Sequence, residues 1–128
     1  MLHFRKQDNY ALLFMLVLTL HYGTGDWISS RLIAEEHTLS YSFLANVIRR
    51  LKKARLVQAR EGLHGGYRLV EPPEKTTIGV IVRVTGGMHS EYDRSQPLWE
   101  LVENAVTSVI DTMTLVDLIK KYAAHNKR

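Results

Sequence analysis

Between residues 40 and 55 the apolar side chains Leu44, Val47, Ile48 and Leu51 recur at the three, four and seven spacing of a single helical stripe. The other side of the same helix carries Ser42, Ala45, Asn46, Arg49, Arg50 and Lys53. A helix divided in this way buries its stripe and leaves the opposite face in water, so it has to lie on the outside of a helical core. Ser40 is placed to cap it. Ser29 or Ser30 is placed to cap a shorter helix over 31–37, with Leu32 and Ile33 facing inward and Glu35 and Glu36 facing water. Three or four residues join the two, which is helix-turn-helix spacing. Thr38 stands where such turns often have glycine, so the backbone there either avoids a left-handed conformation or adopts it at some cost.

The stripe needs something to pack on. Residues 8–22 supply it, with Asp8 expected to cap the helix and Gly23 to stop it. Its apolar residues Ala11, Leu12, Leu13, Met15, Leu16, Leu18 and Leu20 cover most of its circumference, so it wants neighbours on several sides. After the third helix, β-type residues over 56–60 and 67–70 flank a glycine-rich tip, a hairpin ended by Pro72 and Pro73, which cannot donate to a ladder. Thr76 or Thr77 then caps a short apolar helix over 78–84, closed by Gly86 and Gly87.

Residues 88–96 are polar and aperiodic and read as a loop, and Pro97 suits the first position of a further helix. Leu98, Val102, Ala105, Val109, Thr112, Val116 and Ile119 alternate spacings of four and three, the seam of a helix pair. Because the first half already supplies a core, this seam is expected to join two subunits. Thr112 and Thr114, with Asp117 three residues after Thr114, mark a place where the tail can break into two helices. The expected fold is mainly α with a small β-hairpin: a winged helix-turn-helix domain over 1–85, a loop over 86–96, and a long C-terminal dimerisation helix and tail over 97–128.

Charge follows the same division. Residues 38–60 hold six basic side chains (Arg49, Arg50, Lys52, Lys53, Arg55, Arg60) and no acidic one. Residues 1–70 carry ten basic and five acidic side chains, whereas 71–128 carry seven and eight. Clustered Lys and Arg supply most of the non-specific affinity for a nucleic-acid duplex, so the first half is the half suited to DNA.

The chain has no cysteine, which removes disulfides, thiolate metal sites and cysteine nucleophiles together and fits a cytoplasmic protein. Its longest apolar run, 10–20, is well short of the ~20 residues a bilayer span needs. Asp8 and Asn9 interrupt the junction behind Arg5 and Lys6, and no small-x-small pattern follows the run, against a secretory leader. His89, Glu91 and Asp93 alternate in the loop without closing a metal set, and no metal or other cofactor is expected. No serine, histidine and acid are spaced as a catalytic constellation, so no enzyme is expected.

The order of the motifs adds a resemblance. Tyr10-Ala11-Leu12, Leu32-Ile33-Ala34-Glu35, Leu51-Lys52-Lys53-Ala54-Arg55-Leu56-Val57 and Gly62-Leu63-His64-Gly65-Gly66-Tyr67-Arg68-Leu69 come first. Pro72-Pro73-Glu74, Thr77-Ile78-Gly79, Leu98-Trp99 and 111–118 then follow. Together they resemble the Rrf-two family of bacterial winged helix-turn-helix transcriptional regulators, of the IscR and NsrR type, over nearly the whole chain. The resemblance implies a dimeric regulator, usually a repressor, whose long helix crosses its twin. Cluster-binding members hold an iron–sulfur centre through three cysteines in the loop before that helix. The loop here has none, so no cluster is expected. Ala45 stands where some relatives place a glutamate that tunes sequence preference, so their operators do not transfer.

Ser40, Tyr41, Ser42 and Asn46 lie toward the N-terminus of the third helix, the end that approaches base edges in a major groove. Asn46 can pair with adenine and Arg49 or Arg50 with guanine, each good pair discriminating by roughly 1 to 3 kcal/mol. Lys52, Lys53 and Arg55, with Arg5 and Lys6, are placed for phosphates. In the wing, Gly65 and Gly66 allow close backbone approach, and Arg60, His64 and Arg68 reach for the minor groove or its phosphates. The expected function is a homodimeric DNA-binding regulator of the repressor type, acting on a roughly palindromic duplex operator, with no membrane partner. A small-molecule or protein effector stays open, including an apolar one met by Trp27, Tyr92 or Trp99. The alternative is a winged-helix protein-interaction module without DNA binding.

Overall fold

Helix α1 (Lys6–Leu20) is the spine of the molecule because its apolar residues point several ways at once. In the computed structural model, which describes residues 2–3, 5–86, 89–90 and 97–126, Ala11, Phe14, Met15 and Leu18 of this helix are fully buried. They meet helices and strands that come from both halves of the chain. The helix starts two residues before Asp8, and Arg5 is its N-cap. Asp8 is therefore not the cap. Its carboxylate turns inward, accepting the Arg5 backbone N–H at 2.8 Å and the Thr85 hydroxyl at 2.5 Å. Two donors make burial of a charged group tolerable where a solvated cap position would not have required them.

Helix α2 (Ser30–Glu36) is capped by Ser29, whose hydroxyl accepts the Leu32 N–H at 3.3 Å. Ser30, Ile33 and Ala34 share its inner face. Leu32, expected inside, is 56% exposed, because the inner stripe set by residues 30, 33 and 34 leaves position 32 turned away. The turn that follows is a Schellman closure: the Leu39 N–H donates to the Ala34 carbonyl at 2.8 Å and the Thr38 N–H to the Glu35 carbonyl at 3.4 Å. Thr38 adopts φ +54°, so a β-branched residue takes the left-handed position that favours glycine.

Helix α3 (Tyr41–Lys53) is capped by Ser40 and buries the expected stripe of Leu44, Val47, Ile48 and Leu51 against α1 and α2. It closes with a second Schellman motif, Arg55 at φ +63° and the Leu56 N–H donating to the Leu51 carbonyl at 3.0 Å. The hairpin expected next is present as β2 (Val57–Arg60) and β3 (Gly66–Leu69), antiparallel with Val57 opposite Leu69 and Arg60 opposite Gly66. Val57 and Leu69 plug the core. A single 3-10 turn (Pro73–Lys75) leads to helix α4 (Ile78–Val84), capped by Thr77.

Part of the stretch expected as loop is ordered into β structure: β1 of this numbering (Leu2–His3, at the N-terminus) pairs with β4 (His89–Ser90). The rest of that stretch, residues 88 and 91–96, lies outside the described residues. Pro97 opens helix α5 (Pro97–Thr112), and α6 (Leu115–Asn126) follows a break at the threonines singled out in the sequence. Thr114 caps α6: its N–H donates to the Asp117 carboxylate at 3.0 Å, and its hydroxyl accepts the Asp117 N–H at 3.2 Å. The break is held from outside as well, by the Ile78 N–H on the Met113 carbonyl (2.8 Å) and the Leu115 N–H on the Thr76 carbonyl (3.0 Å). The tail is thus two helices. Val116 and Ile119 of the seam belong to α6, which packs on α1, while Leu98, Val102, Ala105, Val109 and Thr112 stay on α5.

Candidate nucleic-acid interface

With its stripe buried, α3 presents Tyr41, Ser42, Asn46, Arg49, Arg50, Lys52 and Lys53 to solvent, and Ala45 is half-buried among them. No acidic residue lies on this helix, so nothing on it neutralises the basic side chains. Its last turn holds Arg50, Lys52 and Lys53, which also complement the negative end of the helix dipole.

The N-terminus of α3 is braced from below. The Ser40 N–H donates to the Tyr10 hydroxyl at 2.9 Å, and the Tyr10 ring packs edge-on against Phe43 with centroids 4.8 Å apart. Lys6 lies over the Phe43 ring at 4.6 Å, which brings a cation of α1 beside the recognition face. On the other flank, the Arg31 guanidinium stacks on Tyr41 at 4.3 Å. Tyr10 and Arg31 are contributors that sequence reasoning had not placed at this face. Arg31 carried a signal, since it is the basic residue in the first turn of the helix preceding the turn; Tyr10 sat in an apolar pattern and carried none.

The candidate side chains fall into neighbouring groups. Asn46, Arg49, Arg50 and Lys53 border one depression, together with Gln7 and Phe43. Within it the Arg49 guanidinium donates to the Asn46 side-chain amide oxygen at 2.8 Å. Arg50 is tied elsewhere, donating to the Thr85 carbonyl at 3.1 Å at the end of α4. A second cleft of about 400 Å³ runs between α2, α3 and the wing, and brings Tyr41 and Lys52 to Arg60, Gly65 and Gly66. His64 borders a third hollow with Trp27 and Arg60, and Arg68 a fourth with Gln58 and Tyr22.

The wing glycines have a structural reason of their own. At Gly66, φ is +150° and a Cβ would lie 2.5 Å from the Ile28 carbonyl oxygen, because β3 pairs closely with the segment entering α2. At Gly65 a Cβ would collide with the Arg60 carbonyl across the hairpin. Glycine at 65 thus lets the tip fold back on the hairpin, and glycine at 66 lets β3 lie against Ile28. Leu63 stands out at the tip, 94% exposed.

Two helices joined by a tight turn, the second basic and outward-facing, followed by a hairpin on the same core, make a winged helix-turn-helix regulator. The comparisons with known proteins then make the class specific. The Rrf2 (Rrf-two) family model, described as an iron-dependent transcriptional regulator, matches residues 4–97, and the chain belongs to this family. The HTH-type transcriptional regulator CymR of Bacillus subtilis is 34% identical over 119 residues, covering 88% of this chain and 86% of CymR. The solved structure of the same organism's CymR, described as a global cysteine regulator, superposes with a TM-score of 0.84 at 31% identity over 94% of this chain and 98% of that one. IscR of T. potens gives 0.80 at 32% identity, with 94% and 88% coverage. The chain is accordingly a DNA-binding transcriptional regulator of a family of regulators rather than of enzymes.

The iron dependence in the family description finds no matching ligands here. Iron–sulfur clusters are held by thiolates, and the 128 residues contain no cysteine. Among the described residues, no three His, Asp or Glu side chains converge as a metal set. Glu91, Tyr92 and Asp93 lie outside the described residues, as do the side chains of His89 and Trp99. The donor chemistry present does not fit a cluster.

Proposed function

We propose that the protein acts in the cytoplasm as a homodimeric repressor, each copy laying α3 in a major groove of a roughly palindromic operator. The observation that carries this reading is the exposed, carboxylate-free face of α3, with Asn46 and Arg49 hydrogen-bonded to each other at its middle. Asn46 and Arg49 read base edges in this account. Ser40, Tyr41 and Ser42 hold the N-terminal end of the helix against the duplex, where free backbone N–H groups favour a phosphate. Lys53 takes a phosphate. Arg50, with one donor committed to the Thr85 carbonyl, fits a positioning role better than base reading. Arg60, His64 and Arg68 of the wing meet the neighbouring minor groove or its phosphates, with Gly65 and Gly66 shaping the tip.

Residues 1–85 form the DNA-binding body in this reading, 86–96 the connection, and 97–128 the dimerisation tail. Its α5 leaves Leu98 (77%), Val102 (47%) and Val109 (55%) exposed along one side, which the α5 of a second copy covers.

Mobility shifts across a salt series test the reading. Affinity for duplex DNA falls steeply with added salt if the basic face makes the contact. Arg49→Ala weakens binding to the preferred sequence more than to random duplex, while Lys53→Ala weakens both alike. Salt-independent binding, or equal behaviour of the two variants, would count against it.

A further inference from the structure

Trp27 lies just before α2, and nothing in the fold described so far requires an indole there. Ile28 exchanges two backbone hydrogen bonds with Tyr67, each 2.9 Å, so this segment acts as an additional edge beside β3. That pairing sets Trp27 opposite Arg68. The hairpin register sets Arg68 opposite Gln58, and so diagonal to Arg60, two residues further along β2. Residues opposite one another in an antiparallel ladder share a face, so Trp27, Arg68 and Arg60 form a row on the face opposite the one that buries Val57 and Leu69.

The side chains use this placement. The Arg68 guanidinium carbon lies 4.0 Å from the Trp27 ring centroid, and that of Arg60 lies 6.0 Å away. Among the described residues, neither guanidinium has a carboxylate within ion-pair distance. Stacking occupies the flat face of a guanidinium and leaves its N–H donors, which lie in the plane, pointing outward. A side chain already ordered in this way loses less freedom when it meets a phosphate.

We propose that Trp27 is a positioning residue for DNA binding, its indole holding Arg68, with Arg60 beside it, ready for the phosphates next to the wing. The proposal rests on the wing being a DNA contact, as set out above. Binding of a fluorescein-labelled random-sequence duplex at low salt, followed by polarisation, tests it with variants checked for unchanged melting. Trp27→Ala weakens binding about two- to fivefold, the reach of one exposed cation–π contact. Trp27→Phe restores most of the loss because it keeps an aromatic face. Trp27→Leu does not, although it keeps apolar bulk. In an Arg68→Ala background, Trp27→Ala adds no further loss.

If Trp27→Leu binds as well as wild type, or if the Trp27 and Arg68 losses simply multiply, the indole only packs and the proposal is overturned while the wing contact stands. If Arg68→Ala and Arg60→Ala both bind like wild type, the wing reading itself fails and takes the proposal with it. Should Trp27→Ala melt early, the Phe and Leu variants alone still decide the matter.

Discussion

Replacing Thr85 by Val removes one hydroxyl and almost no volume, and the cost can be worked from the contacts that remain. In the native protein that hydroxyl donates to the fully buried Asp8 carboxylate at 2.5 Å. The second carboxylate oxygen keeps the Arg5 backbone N–H at 2.8 Å, so the variant leaves one of two charged acceptors short of a donor. A hydrogen bond to a charged group contributes about 1.5–3 kcal/mol, and no cavity adds to it. At about 2.1 cal/mol/K per residue, 128 residues give an unfolding entropy near 0.27 kcal/mol/K, so the expected loss in Tm is about 6–11 °C. Differential scanning calorimetry reads this directly. Thr85→Ser, which keeps the donor, should lose less than Thr85→Val. The Arg50 tether should survive both, since it uses the backbone carbonyl of residue 85. A Thr85→Val protein melting within about 2 °C of wild type would refute the assignment of Asp8 as a buried, hydroxyl-bonded carboxylate.

Other consequences follow from α5 and its anchor. Val102→Glu together with Val109→Glu places charge on the exposed side of α5 without touching the buried core, so sedimentation should show monomers with unchanged helicity if that side is the subunit seam. The anchor of α5 is a two-pronged pair from Arg83 to Asp111, one arm at 3.0 Å. The hydrogen bond from Arg83 holds the Asp111 carboxyl below the usual carboxylate range. A depressed carboxyl contributes stability above its ordinary value and loses it as pH falls through the lowered one. Urea midpoints of wild type and Asp111→Asn should therefore differ at neutral pH and converge in acid; a constant gap down to the lowest pH would contradict the pairing.

Local chemistry made much of this protein legible in its sequence. Leu44, Val47, Ile48 and Leu51 declared α3 because a stripe at helical spacing is a property of one segment, and Ser40 and the pair Thr76 and Thr77, of which Thr77 is the cap, declared their helices because caps act within three residues. Contacts between distant segments left no such trace. Asp8 looked like the N-cap, yet it sits one turn inside the helix, reaching back to the Arg5 N–H and sharing its carboxylate with Thr85, 77 positions away. Leu32 looked buried since a seven-residue helix offers too few turns to fix its inner face. Arg49 and Arg50 looked equivalent in sequence, yet the fold brings only Arg50 to the Thr85 carbonyl. The pairing of Leu2–His3 with His89–Ser90 had no pattern to announce it, because two-residue strands carry no period.

The central claim is that a pair of α3 helices reads a symmetric duplex. Selection of bound sequences from a random duplex library tests it most directly. The account predicts enrichment of two inverted half-sites with centres about one helical turn, or a whole multiple of it, apart. Recovery of a pool with no shared sequence, or of unpaired half-sites, would contradict it.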